Sequence, residues 1–191
     1  VGPGGARHGE CGRPGQCGVV LSAMRSRTRL GPVHGGSVVR RIHRYAPRGS
    51  AKALLTCKAP EVLVSGPAGT GKSRACLEKL HLMCKKYPGM RALILRKVLS
   101  SLASTGLVTW RNWVIDQDLL TGEGEYYGGS QEEPAQYRYR NGSVVVIGGL
   151  DRSIKIMSSD YDIIYVQEAT ELTEDDWENC TTRLRYGKVP Y

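Results

Sequence analysis

The chain has 191 residues, a formal net charge of +9, 40% hydrophobic residues and 24% charged ones, which suits one well-packed domain of ordinary soluble composition. No apolar run approaches the ~20 residues that a helical membrane span needs, and no secretory leader is visible, so a cytoplasmic, soluble protein is expected. The charge is lopsided: residues 1–52 hold ten Lys and Arg against the single Glu10, and residues 53–191 balance.

Residues 1–44 therefore form a basic leader, rich in Gly and Pro and without apolar periodicity. Its composition predicts a solvated, disordered segment, with a phosphate-neutralising arm as the alternative. His8, Cys11 and Cys17 match no common zinc spacing, and the six cysteines form no C-x-x-C pair, so free thiols are expected. The chain does not begin with Met, and Lys188–Tyr191 closes no element. Arg outnumbers Lys 18 to 9, as in GC-rich genomes. A fragment is expected, with residues 1 to about 40 a translated leader and Met24 one candidate start.

Residues 45–191 read as one α/β domain. Ala51–Ala59 is a short helix before Pro60, and Val62–Ser65 a short buried strand. A helix follows over Lys72–Lys86, ended by Pro88-Gly89, and Arg91–Leu95 is a second apolar strand. Strand, helix and strand make a βαβ unit, which implies a parallel sheet. Val98 to about Leu120 reads as mostly helical, with Leu99, Leu102, Leu107, Trp110, Val114 and Leu119 on the apolar face. Polar Thr121–Glu133 is a loop. Tyr137–Arg140, Asn141-Gly142 and Ser143–Ile147 predict an inserted β-hairpin with a type I′ turn. Asp162–Val166 is another buried strand, and Thr173–Leu184 a helix with Thr173 as N-cap and Glu174, Asp175 and Asp176 in its first turn.

One stretch carries chemistry directly. Gly66, Pro67, Ala68, Gly69, Thr70, Gly71, Lys72 and Ser73 satisfy every fixed position of G-x-x-x-x-G-K-[ST], between a predicted strand and a predicted helix. Such a loop turns successive backbone N–H groups around a polyphosphate, and the new helix directs its positive end at the same anion. Lys72 can reach the β- and γ-phosphates, and the Ser73 hydroxyl can ligate Mg²⁺. The pattern predicts a P-loop NTPase fold, a mostly parallel sheet flanked by helices, binding a nucleoside triphosphate with Mg²⁺. Hydrolysis also needs a carboxylate that orients water, commonly at the tip of a neighbouring strand. Glu168 follows Ile163–Val166 and fits, the alternative being a helix-capping carboxylate. Gln167 stands where an Asp usually helps hold the metal. Its amide oxygen can accept from a metal-bound water but supplies no charge, so the metal set is Ser73, Gln167 and Glu168.

From Tyr45 to Tyr191 the chain resembles the large terminase subunits, the DNA-packaging ATPases of tailed bacteriophages. The resemblance lies in Tyr45–Gly49, in Gly66–Ala75 (which includes Arg74), in Leu93–Lys97 followed by Ser100–Ser104, and in Tyr161–Leu172. It implies an ATPase that drives double-stranded DNA into a capsid as a ring docked on the portal protein. A small terminase subunit is implied as a partner, and the cytoplasm of an infected or lysogenic bacterium as the location. It also implies that Tyr45, Pro47 and Arg48 lie where such proteins contact adenine, the alternative being a plain Pro-Gly turn. An arginine finger is implied as well. Many large terminases carry Arg-Gly ahead of the acidic strand, whereas this chain has Met157-Ser158. Arg96 and Arg152 are the substitutes, each with a surface ion pair as its alternative. Arg183 and Arg185 read as a solvated helix end, the alternative being a face toward DNA or a partner. The family's nuclease half has no room here, so nuclease activity is not expected. The other readings are a helicase-like NTPase and a non-catalytic nucleotide-binding remnant, the latter favoured by Gln167.

Overall fold

The computed structural model describes residues 45–152, 156 and 158–185. The leader, with His8, Cys11, Cys17 and Met24, lies outside the described residues, as do Met157 and residues 186–191.

Helix α1, Ser50–Thr56, buries Leu54 and Leu55 and stops short of the expected Ala59. Cys57 is already extended, and its carbonyl accepts a hydrogen bond from the buried Lys79 ammonium at 3.0 Å. The expected strand at Val62–Ser65 has the alternation of a strand but no ladder. Val62 and Val64 pack on the core and Leu63 between them is exposed. This segment makes no backbone hydrogen bond to another strand among the described residues. Side-chain periodicity reports burial, whereas a strand also needs a paired neighbour.

Helix α2, Lys72–Lys86, starts and ends as predicted. Ala75, Leu77, Leu80, Met83 and Cys84 are buried, and so are Glu78, Lys79 and His81, which embeds the helix on more than one side. Strand β1, Arg91–Arg96, buries Ala92 to Leu95 completely. An unbroken apolar run is what a strand covered on both faces carries.

The predicted long helix after β1 is broken into α3 (Leu99–Ser104), α4 (Gly106–Thr109), a π-helical turn (Trp110–Val114) and α5 (Asp116–Thr121). Thr105 causes the first break: its hydroxyl donates to the Ser101 carbonyl at 2.7 Å, and its φ of −125° and ψ of −77° are not helical. Such back-bonding from Thr bends helices. Leu102, Leu107, Trp110 and Val114 are buried as expected, but Leu119 is exposed.

Strand β2, Gly124–Tyr127, arises inside the stretch expected to be a loop, pairing antiparallel with β3, Gln136–Tyr139. β3 in turn pairs antiparallel with β4, Val144–Gly149. The β3–β4 connection differs from a type I′ turn. Gly142, with φ of 82°, has positive φ, but Asn141 does not. The Gly142 N–H donates to Tyr139 and the Tyr139 N–H to Ser143, so three residues form the loop. That is the three-residue hairpin closed by one left-handed glycine. β4 is also no peripheral insertion, because its other edge pairs in parallel with β1.

Strand β5, Ile163–Val166, is fully buried and pairs in parallel with β1. The sheet order is β2-β3-β4-β1-β5, and only β3 runs against the rest. Helix α6, Glu174–Thr181, has Thr173 as N-cap, with a capping box completed by Asp176. It ends before Leu184, which is drawn into a parallel bridge with Tyr161. Alternate sheet residues feed two cores. Ala92, Ile94, Val145, Ile147 and Tyr165 join α2 and Trp110 on one face. Leu93, Leu95, Val146, Ile164 and Val166 join Ile156, Tyr161 and Cys180 on the other. No described helix is long and apolar enough to cross a membrane.

Candidate nucleotide and catalytic site

The loop Gly66–Gly71 is exposed and leads directly into α2. Gly69 and Gly71 have φ of 75° and 80°, the left-handed region. A Cβ at either would meet nothing within 4 Å, so glycine is required there by conformation rather than by space. The Thr70 hydroxyl donates to the Pro67 carbonyl at 3.0 Å. The Lys72 ammonium curls back over the loop, donating to the Gly66 carbonyl at 2.6 Å and to that of Pro67. Its charge is therefore centred on the concave side of the glycine turn. Ser73 follows in the first turn of α2, half-buried.

Topology sets where this loop lies. The C-terminal end of α2 joins the start of β1 through Tyr87–Met90, and α2 packs on the sheet face. At about 1.5 Å per residue its 15 residues span ~22 Å, close to the length of a six-residue strand. The start of α2 therefore returns to the C-terminal edge of the sheet. Open α/β sheets bind ligands at that edge.

Glu168 lies on the same edge. The Gln167 N–H still donates to the Leu95 carbonyl at 2.8 Å, so the β5 ladder runs up to it. Glu168 then turns out of the strand with φ of 55° and ψ of 58°, exposed, the only non-glycine with positive φ among the described residues. A left-handed Glu is held at a cost of about 1–3 kcal/mol, and such strain concentrates at functional positions. Gln167 is buried. Its Nε2 donates to Thr105 Oγ1 at 3.4 Å and its Oε1 has no partner. A Cβ on Gly106 would lie 2.1 Å from that oxygen. The amide thus faces the α3–α4 junction and is a neutral acceptor in search of a donor.

Arg74 leaves α2 one residue after Ser73. It pairs with Glu78 at 3.2 Å, and its guanidinium lies 5.1 Å from the Tyr45 ring centre and 5.3 Å from that of Trp113. Two predicted residues, Tyr45 and Arg74, are thereby brought together. Burial and the Glu78 carboxylate push the Tyr45 hydroxyl above its usual range. Sequence spacing does not single out Trp113. Its one signal there was a large aromatic in the polar phase of a helix whose apolar face was Trp110 and Val114. Arg48 is exposed at the start of α1, where its carbonyl accepts the Ala51 N–H.

Arg96 is fully engaged at the tip of β1. Its Nε and Nη2 donate to the two Glu171 oxygens at 3.0 and 2.5 Å, and Nη1 faces Ser101 O and Thr105 Oγ1. The fork holds the Glu171 carboxyl below its ordinary range, and Glu171 raises the guanidinium in return. Neighbouring Lys97 pairs with Asp176 of the α6 capping box. Arg152 is exposed in the short 3₁₀ turn after β4. Arg185 pairs with Asp160 at 3.2 Å. Cys57, Cys76, Cys84 and Cys180 are free thiols, and the described residues hold no group of three His, Cys, Asp or Glu that could cage a metal.

Fold and site together define a mixed α/β domain in which a glycine-rich loop, a helix start and a strained carboxylate share one sheet edge. No protein-family model and no curated protein matches the chain. Among solved structures it is similar to the large terminase of a thermophilic bacteriophage, at a TM-score of 0.48 and 10% identity over 62% of this chain and 28% of that one. It is also similar to a Thermus phage large terminase ATPase domain, at 0.46 and 15% over 61% and 53%. The chain thus spans well under two thirds of either protein.

Proposed function

We propose that this chain is the ATPase portion of a DNA-packaging motor of the large-terminase type. The observation that supports the reading most is Glu168, strained and exposed at the tip of β5 on the edge where the loop Gly66–Ser73 opens. The loop's N–H groups and Lys72 bind the triphosphate, Lys72 exchanging its own-loop carbonyls for phosphate oxygens. Glu168 positions and deprotonates the attacking water. Tyr45 and Arg74, with Arg48 nearby in sequence, contact the base. The donors present suit Mg²⁺ held by the Ser73 hydroxyl and phosphate oxygens, as this cation prefers, rather than by an all-protein cage. Bound there, it would neutralise charge on the phosphates.

By the same reading the full-length protein forms a homo-oligomeric ring that acts on double-stranded DNA with a portal protein and a small terminase subunit in the bacterial cytoplasm. Arg152, exposed at the same edge, remains the arginine finger to test. A non-catalytic nucleotide-binding role is the competing reading, supported by Gln167. ATP turnover and nucleotide binding, measured together on the native chain, Lys72→Ala and Glu168→Gln, separate the two. Glu168→Gln should keep nucleotide affinity and lose turnover, and Lys72→Ala should lose both. Equal background turnover in the native chain and Glu168→Gln, with binding intact, removes the catalytic reading.

A further inference from the structure

Glu168 occupies a backbone conformation that it would not hold unaided, so something outside its own turn has to fix it. The turn is closed within itself by the Glu171 N–H to the Glu168 carbonyl at 2.9 Å and the Leu172 N–H to that of Ala169 at 3.1 Å. One charged side chain of this turn is anchored elsewhere. Glu171 receives the forked guanidinium of Arg96, which stands on interior strand β1 and is largely buried, its side chain 15% exposed. A bidentate fork fixes direction as well as distance, which a lysine ammonium cannot do.

The remaining nitrogen of Arg96 ties in a second point. Nη1 approaches Thr105 Oγ1 at 3.3 Å, and the same oxygen accepts from Gln167 Nε2 at 3.4 Å while donating to Ser101. Arg96 is thus joined to the residue just before Glu168 through Thr105 and to one three residues after it through Glu171. A residue whose three guanidinium nitrogens are all occupied in this way is poorly placed to serve as the charge that meets a phosphate.

We propose that Arg96 is a positioning residue for Glu168, its fork to Glu171 and its contact with Thr105 clamping the Gln167–Leu172 turn to β1 so that the carboxylate is presented off the sheet edge. This rests on the ATPase reading above for its catalytic consequence, but the clamp itself can be read without turnover.

The test uses the native chain with Arg96→Lys, Arg96→Ala, Glu171→Gln and the Arg96→Lys/Glu171→Gln pair. Amide hydrogen exchange is followed at Glu171 and Leu172, with the α2 amides as reference. ATP turnover and nucleotide affinity are measured alongside. The clamp predicts faster exchange at Glu171 and Leu172 in Arg96→Lys, which keeps the charge but loses the fork, with α2 unchanged. It predicts a fall in kcat on the order of a hundredfold, as expected for a misplaced catalytic group, at unchanged nucleotide affinity. Glu171→Gln should reproduce both effects, and the pair should be no worse than either single change. Unchanged exchange in Arg96→Lys and Glu171→Gln overturns the proposal. So does a loss of turnover in the Arg96 variants that Glu171→Gln does not share, since that pattern belongs to a charge acting on the nucleotide. Should Arg96→Ala fail to fold, Arg96→Lys and Glu171→Gln still decide. A native chain without turnover removes the ATPase reading alone, and the exchange data then judge the clamp.

Discussion

Arg74 brings a cation between two rings at the very start of α2. The geometry places Tyr45, 5.1 Å from the guanidinium, beside the residue that follows Ser73. On the proposed ATPase reading the base stacks on Tyr45, and base–aromatic stacking is worth ~1–3 kcal/mol. Tyr45→Ala should therefore weaken ATP binding about tenfold while leaving inorganic tripolyphosphate unaffected, because only ATP carries a base. Titrating both ligands against the native chain and the variant checks this. Equal losses for the two would show that Tyr45 supports the loop and not the base. Glu168 makes the complementary point, since its residue type was readable from its place after an apolar strand but its left-handed backbone was not.

At the scale of elements, the α3–α4 junction leaves no free room for a side chain at Gly106. Gly106 begins α4 directly beneath Gln167, and a methyl group there would lie 2.1 Å from Gln167 Oε1 and 3.0 Å from Leu102 Cδ1. Gly106→Ala should lower stability by about 1–3 kcal/mol, the usual range for overpacking, and should disturb the Thr105 contact that Gln167 makes. Denaturant unfolding of the two proteins measures it, and an unchanged midpoint would mean that the junction yields. Thr105 shows why the long helix predicted after β1 broke into pieces. The apolar spacing of Leu102, Leu107, Trp110 and Val114 marked the buried face correctly, while a hydroxyl bonding back to Ser101 decided where the axis bends. The same holds for β2, whose Gly124–Tyr127 sits in a polar tract and becomes a strand because β3 offers it an edge.

Across the whole molecule, a buried polar chain ties α2, α5 and β3 together. His81 Nδ1 meets the Tyr139 hydroxyl at 2.8 Å, and Asp118 lies 3.6 Å from Nε2 while pairing with Lys85 at 3.1 Å. Burial drives His81 down to about 4 against the pull of Asp118, and Lys85 adds to the lowering. The unfolded chain, with His near 6.5, binds the extra proton first as pH falls, so this group's stability is complete above about 6.5 and is lost progressively toward 4. The loss amounts to about 3 kcal/mol across that window. A His81→Phe variant should flatten the pH dependence of unfolding between those limits. Melting curves across pH check it, and an equally steep dependence in the variant would locate the titrating group elsewhere. Glu171 and Asp176, held low by hydrogen bonds from Arg96 and Lys97, contribute a separate decline below the ordinary carboxylate range.

Local structure was legible from the chain alone wherever it is written in adjacent residues. The glycine loop, the start and end of α2, the apolar runs of β1 and β5, and the Thr173 cap depend on neighbours a few positions away, and all are where the spacing predicted. Partnership between distant residues was not legible. Whether Val62–Ser65 becomes a strand depends on a paired edge, and whether Arg96 stands free depends on Glu171, a residue brought to it only when β5 lies beside β1. Trp113 reached Arg74 only through the π-helical turn that follows Thr109. Periodicity encodes which face is buried, but the groups that meet at the sheet edge are chosen by strand order and helix breaks, and those follow from the free energy of the entire packed chain.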